Sequence, residues 1–143
     1  MQLPKALHDR LNHEFRFAAT KMRETPIVQR KLYYLSAFYG EISRILNQSW
    51  DSELALLHQV IQSSHRLING RVTTFASGAD RIIDLPDNLP EILDEIGGAL
   101  ADAFAESQVR SEELYRIMQR IADLSYATTG NGFYLYERGV LKL

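Results

Sequence analysis

The chain is predicted to be all-α, a bundle of about five helices with a short C-terminal β-hairpin or strand extension. Three observations predict it. Apolar residues recur at helical spacing through most of residues 1–129. Proline, glycine and capping residues cut that pattern into separate lengths. After Gly130-Asn131-Gly132 the period changes, and Phe133-Tyr134-Leu135-Tyr136 reads as a strand. At 143 residues, residues 1–129 form the bundle and 130–143 extend the same single domain.

Pro4 suits the first turn of a helix, where its missing N–H goes unused. Leu7, Leu11, Phe15, Ala18 and Met22 then form one apolar stripe. Thr25-Pro26 signals a second start, with threonine as cap and proline at the first helical position, and this helix should reach Leu46. Val28, Leu32, Leu35, Tyr39, Ile42 and Leu46 mark its inner face, widened by Ile27, Tyr34, Phe38 and Ile45. Ser36, Gly40 and Ser43 lie beside that arc and let another backbone come close, while Tyr33 falls on the remaining face near Arg30 and Arg44. A helix apolar over so wide an arc belongs in the middle of a bundle.

Asp51 or Ser52 can cap a third helix carrying Leu54, Leu57, Val60, Ile61, Leu67 and Ile68 inward. Asn69-Gly70 reads as its stop, since both residues tolerate the left-handed conformation at a helix C-terminus. Arg71 to Asp84 gives mixed signals: Val72 to Phe75 favour extended backbone, whereas Ala79 to Asp84 resembles a helical turn. Leu85-Pro86-Asp87-Asn88 is a loop. A fourth helix starts near Asn88 or Leu89 and buries Leu89, Ile92, Leu93, Ile96, Leu100, Ala103 and Phe104. Gly97-Gly98 inside it costs about 1–2 kcal/mol relative to two alanines, which points to a kink or a tight crossing. Ser111 can cap a fifth helix with Leu114, Ile117, Met118, Ile121 and Leu124 inward, or the fourth helix runs on unbroken. The final residues, Val140-Leu141-Lys142-Leu143, can return as a second strand. A lone hairpin is marginal in water, so it should lie on the bundle or pair with another copy.

Composition narrows the function classes. There is no cysteine, which excludes disulfides, thiolate metal sites and cysteine nucleophiles. The N-terminus lacks the pattern of a signal peptide, and no apolar run approaches the ~18 residues of a membrane span. A cytoplasmic protein with no membrane contact is the expectation.

Charge is distributed unevenly. From Ile82 to Val109 there are seven carboxylates (Asp84, Asp87, Glu91, Asp94, Glu95, Asp102, Glu106) and no Lys or Arg. The first 45 residues carry eight cationic side chains against four acids, all within a total charge of −2. The leading expectation is therefore a non-enzymatic interaction or assembly module that acts as a homo-oligomer, most simply a homodimer. Its acidic fourth helix would meet basic helices of another copy or of its own chain, and a different protein is the other candidate partner. Tyr33, Tyr34 and Phe38, with Phe133, Tyr134, Leu135 and Tyr136, are the expected interface residues, because aromatic side chains anchor interfaces.

A second reading, from another class, is a divalent-metal-dependent hydrolase of nucleotides or phosphorylated metabolites using helix 88–106. Glu91 and Glu95 are one turn apart, as are Asp102 and Glu106, so each pair can converge on a Mg²⁺ ion. The fifth helix would have to supply the facing acids, and its Glu112, Glu113 and Asp123 share a face with Arg116 and Arg120. Without this reading no cofactor is expected. The histidines give little metal spacing: His58 and His65 are two turns apart, roughly 10.5 Å, no Glu precedes a His by three, and His13, four residues after Asp9, is spaced for a shared ion or a simple hydrogen bond. No nucleophile elbow or P-loop is present. A third reading is a nucleic-acid adaptor, with Lys5, Arg16 and Arg23 along the first helix and Arg30 following, a stripe able to track phosphates. No recognition helix or stacking platform accompanies that stripe, and the acidic stretch repels the same ligand.

Overall fold

The computed structural model describes residues 1–77 and 85–130, the side chains of 75–77 excepted. Among the described residues it contains five α-helices and no strand: α1 (Lys5–Glu24), α2 (Val28–Leu46), α3 (Ser52–Ser77), α4 (Leu89–Ala105) and α5 (Ser111–Thr129). The helical bundle is as expected. The hairpin anticipated over Phe133–Leu143 and the turn over Ala79–Asp84 lie outside the described residues.

Helix starts follow local chemistry. The Pro4 carbonyl accepts bonds from the Leu7 and His8 N–H groups, and α1 begins at the next residue. The Asp51 carboxylate accepts from the Leu54 N–H at 2.9 Å, capping α3 as its sequence suggests. Two starts differ from expectation. The Thr25 hydroxyl accepts from the Ile27 N–H at 3.2 Å, closing a local turn, so α2 starts at Val28 rather than at Pro26. The Ser111 side chain acts on Glu53 of α3, lowering the pKa of its carboxyl, and α5 starts at Ser111 itself after an extended Arg110. The break before it separates α4 from α5. Gly130, at φ 76°, closes α5 by returning its N–H to the Tyr126 carbonyl at 2.8 Å.

Asn69-Gly70 does not stop α3, which continues to Ser77. Packing overrides the local signal: Ile68 and Val72 are one turn apart and both are buried, so ending the helix at Gly70 would expose Val72. The Thr74 hydroxyl also donates back to the Gly70 carbonyl at 2.8 Å, a bond that fits helical backbone.

In space the helices form a closed ring, α1–α2–α3–α5–α4 and back to α1, with α2 also touching α4 across it. The aromatic centre sits where α1, α2 and α4 meet. The Phe15 ring lies 4.8 Å from Phe38 and 4.8 Å, edge-on, from Phe104, and all three are wholly buried. Gly97 and Gly98 serve a tight crossing, as anticipated. A Cβ on Gly97 would stand 2.8 Å from the Met22 sulfur, and one on Gly98 2.5 Å from an Arg23 nitrogen. Among the described residues no helix is long and apolar enough to cross a membrane.

Candidate interaction surface

Most helical apolar side chains are used up by the core. Phe38 is one of them: it is wholly buried against Phe15, which leaves Tyr33 and Tyr34 as the aromatic pair of α2 that reaches the surface. Tyr33 is 70% exposed, and its ring stands edge-on to Tyr34 with centroids 5.3 Å apart. Phe17 of α1 joins them at 56% exposure. These three, with Ala18, Ser36, Ala37 and Gly40, line an open groove of about 290 Å³ between α1 and α2. Its floor is unfilled at Gly40, where an added Cβ would meet nothing within 4 Å.

The polar end of this groove is already neutralised within the chain. Glu41 holds Arg10 of α1 at 3.2 Å and Arg44 of its own helix at 2.8 Å. Glu14 is the other charged side chain lining it. The arrangement offers apolar area beside charges that sum to zero, Glu14 and Glu41 against Arg10 and Arg44, a composition suited to a protein partner rather than to phosphate or metal.

The sequence did not single out Phe17, although it stands two residues after Phe15 and so points away from the buried stripe. It likewise passed over Trp50, 72% exposed in the α2–α3 connection. The residues Phe133, Tyr134, Leu135 and Tyr136, expected at an interface, lie outside the described residues.

The acidic helix is divided between partners. Asp94 receives the Lys31 ammonium at 2.6 Å, joining α4 to α2. Lys31 is only 3% exposed and also donates to the Met22 carbonyl at 2.8 Å. Its charge alone suggests solvent; its register with Leu35, Phe38 and Ile42 is the sequence signal that it faces inward. Glu95 pairs with Arg120 of α5 at 2.9 Å. Glu91 shares a cleft with Arg23, Glu24, Lys31 and Asp94 at the opposite end of α4 from Asp102 and Glu106. Those last two line a different cleft with Glu113 and Arg110. The four candidate metal ligands are thus not brought to one place, and among the described residues no three His, Asp or Glu side chains are grouped to hold an ion.

The basic stripe is dispersed too. Lys5 is tied to Asp9 at 2.7 Å. Arg16 shares its surface with Asp9 and His13, and Arg23 lies over the α4 backbone at Gly98. Arg30 stands exposed on α2. Lys5 and Arg23 are separated by about 27 Å of helix, with Asp9 and Glu14 between them.

On the other side of α2, the Tyr39 ring faces two imidazoles of α3, His58 at 6.0 Å and His65 at 5.5 Å. The His65 Nε2 lies 2.9 Å from the Leu32 carbonyl. Burial lowers the proton affinity of both histidines, and for His65 the Leu32 carbonyl partly opposes it. This cluster knits α2 to α3. No family model matches the chain, and no curated protein or solved structure matches it.

Proposed function

We propose that this protein is a non-enzymatic interaction and assembly module that works as a homo-oligomer, with the α1–α2 groove as its contact surface. A cytoplasmic setting fits its lack of cysteine. The observation that carries the reading is the groove itself. Phe17, Tyr33 and Tyr34 are presented together around an open Gly40, while Glu41 keeps the neighbouring arginines paired at home. Exposed aromatic side chains grouped on one face, with the charges beside them balanced, are the usual anchors of a protein interface.

Light scattering on the full chain at rising concentration tests it. A dimer is expected, weakened about tenfold or more by Tyr33→Ala. Because the charges nearest the groove sum to zero within one chain, the association should change little with salt. A chain ending at Thr129 separates the two seats of the expected interface: a dimer kept on truncation sits on the groove, and one lost depends on the C-terminal residues. A monomer under every condition overturns the reading. The hydrolase and nucleic-acid alternatives have no comparable grouping behind them, since their residues are spread over separate clefts and faces.

A further inference from the structure

Resting on that reading, we infer that the occupant of the α1–α2 groove is a second copy of this chain, docked in an antiparallel two-fold arrangement with the two α2 helices crossing at Gly40. The outward stripe of α2 runs Arg30, Tyr33, Ala37, Gly40, Arg44, spaced by three and four residues, so these side chains stand in one line. Every member is exposed. The line is asymmetric about its open centre at Gly40: Tyr33 stands seven residues to one side with Arg30 beyond it, and Arg44 stands four residues to the other.

A two-fold interface must be complementary to itself, each copy offering the same patch. Two orientations satisfy the symmetry. In the parallel one, Arg30 faces Arg30 and Arg44 faces Arg44 of the second copy, and like charges directly opposed are unfavourable. In the antiparallel one with its axis at Gly40, residue 40 + n of one copy meets 40 − n of the other. Arg44 then lies opposite Ser36, about 4.5 Å along the axis from the second copy's Tyr33, within reach of a cation–π contact. Along the axis the two Arg44 side chains are about 12 Å apart, and Arg44 and the second copy's Arg30 about 9 Å, both past the ~8 Å screening length at physiological salt. Arg44 is suited to this role because Glu41 already fixes it at 2.8 Å while its side chain remains 65% exposed. Phe17 and Tyr34, flanking the stripe on the α1 side, cover the edges of the contact.

A chain without cysteine makes the geometry directly testable by single-cysteine pairing. Ala37→Cys and Ser43→Cys both fall on exposed positions of α2. They lie three residues either side of Gly40, so antiparallel docking puts residue 37 of one copy against residue 43 of the other. Mixing the two variants under mild oxidation should yield the 37–43 disulfide dimer several-fold faster than either variant yields its own, with Glu91→Cys on α4 as the unlinked control. Mass by light scattering is read on the same reduced samples, and circular dichroism verifies the fold.

A dimer that links 37 to 43 sustains the arrangement. A dimer that instead links 37 to 37 and 43 to 43 overturns the antiparallel docking and leaves the groove as the seat. A dimer in which neither position links, or in which Glu91→Cys does, overturns the groove contact while the assembly reading survives. A monomer at every concentration overturns both.

Discussion

Two mid-helix glycine sites in this molecule have opposite surroundings. In α4, Gly97 has α1 pressed against it, with the Met22 sulfur 2.8 Å from where a Cβ would stand and the Ala19 Cα 3.8 Å away. In α2, Gly40 has nothing within 4 Å. Each glycine costs its helix about 1 kcal/mol relative to alanine. At Gly97 that cost is offset inside the chain, because the missing side chain lets two helices close over a buried core. At Gly40 no contact within the described chain offsets it. The difference marks one closed surface of this bundle and one open surface, and it gives each region its own test.

The largest effect is expected in the closed region, at the pair that fastens α2 to α4. Lys31 is buried, and it has two acceptors, Asp94 and the Met22 carbonyl. Asp94→Ala leaves a buried ammonium with the carbonyl alone. Losing one partner of a fully buried pair costs about 3–5 kcal/mol; because Asp94 is 30% exposed, a loss of about 2–4 kcal/mol in urea unfolding is expected. The double variant Lys31→Met, Asp94→Leu should recover much of that loss, since no unpaired charge remains. A loss under about 0.5 kcal/mol in the single variant would mean that Lys31 reaches water easily and that the pair does not fasten the seam.

Next comes the closed glycine. Gly97→Val puts branched carbon atoms against Met22, which is wholly buried and has little room to give. Overpacking of this kind costs about 1–3 kcal/mol. Gly98→Ala is the control, because the atom it would meet is the tip of the exposed Arg23 side chain, which can swing aside. It should be close to neutral in the same unfolding experiment. Equal losses at 97 and 98 would show that the crossing is not centred where the packing puts it.

The seam between α2 and α3 should respond to pH. His58 and His65 are held below the ordinary histidine value of 6.5, by burial first and, for His65, with partial opposition from the Leu32 carbonyl. The unfolded chain takes up these protons near 6.5, while the folded chain takes them up only at lower pH. Stability is therefore fully present above 6.5 and is lost as pH falls through the lower folded values. Urea midpoints compared at about pH 7.5 and about pH 5.5 should show the decline, and His58→Gln with His65→Gln should flatten it. Glu53 does not confuse the comparison. Its carboxyl is held below 4.5, first by the Ser111 hydroxyl and then by the N-terminal amine against the opposing effect of burial, so its contribution is lost only in stronger acid.

How far each of these features could be read from the sequence depends on how local its cause is. The apolar stripes of the five helices, apart from Ile27, which precedes α2 and is exposed, the Asp51 cap, the loop over Leu85–Asn88 and the crossing at Gly97-Gly98 follow from spacing and backbone preference, and these were legible. The run of α3 through Asn69-Gly70 was not, because its cause is the burial of Val72 against distant residues. The pairing of Glu95 with Arg120 spans 25 residues, so no rule of local spacing finds it. Lys31 lay between the two cases. Its register put it on the core face, but its charge suggested solvent, and the Asp94 carboxylate that reconciles these is 63 residues away. The groove was half legible: Tyr33 and the small side chains of α2 stood out, whereas Phe17 comes from α1 and joins them only when the helices pack.

The smallest change belongs to the open glycine and should have opposite signs in two measurements. Gly40→Ala meets no neighbour among the described residues, so it should stabilise the dilute protein by about 0.5–1 kcal/mol through helix preference alone. Across the two-fold crossing, the added methyl groups hold the two α2 backbones apart, and the dimer should weaken by about tenfold. Unfolding must be followed at low concentration, since a dimer adds its own association energy to the apparent stability. A gain in stability with unchanged dimerisation would move the contact off Gly40, and a loss in both would mean that something within the chain already occupies the space. Only a gain in the first with a loss in the second separates a glycine retained for a neighbouring molecule from one that is merely tolerated.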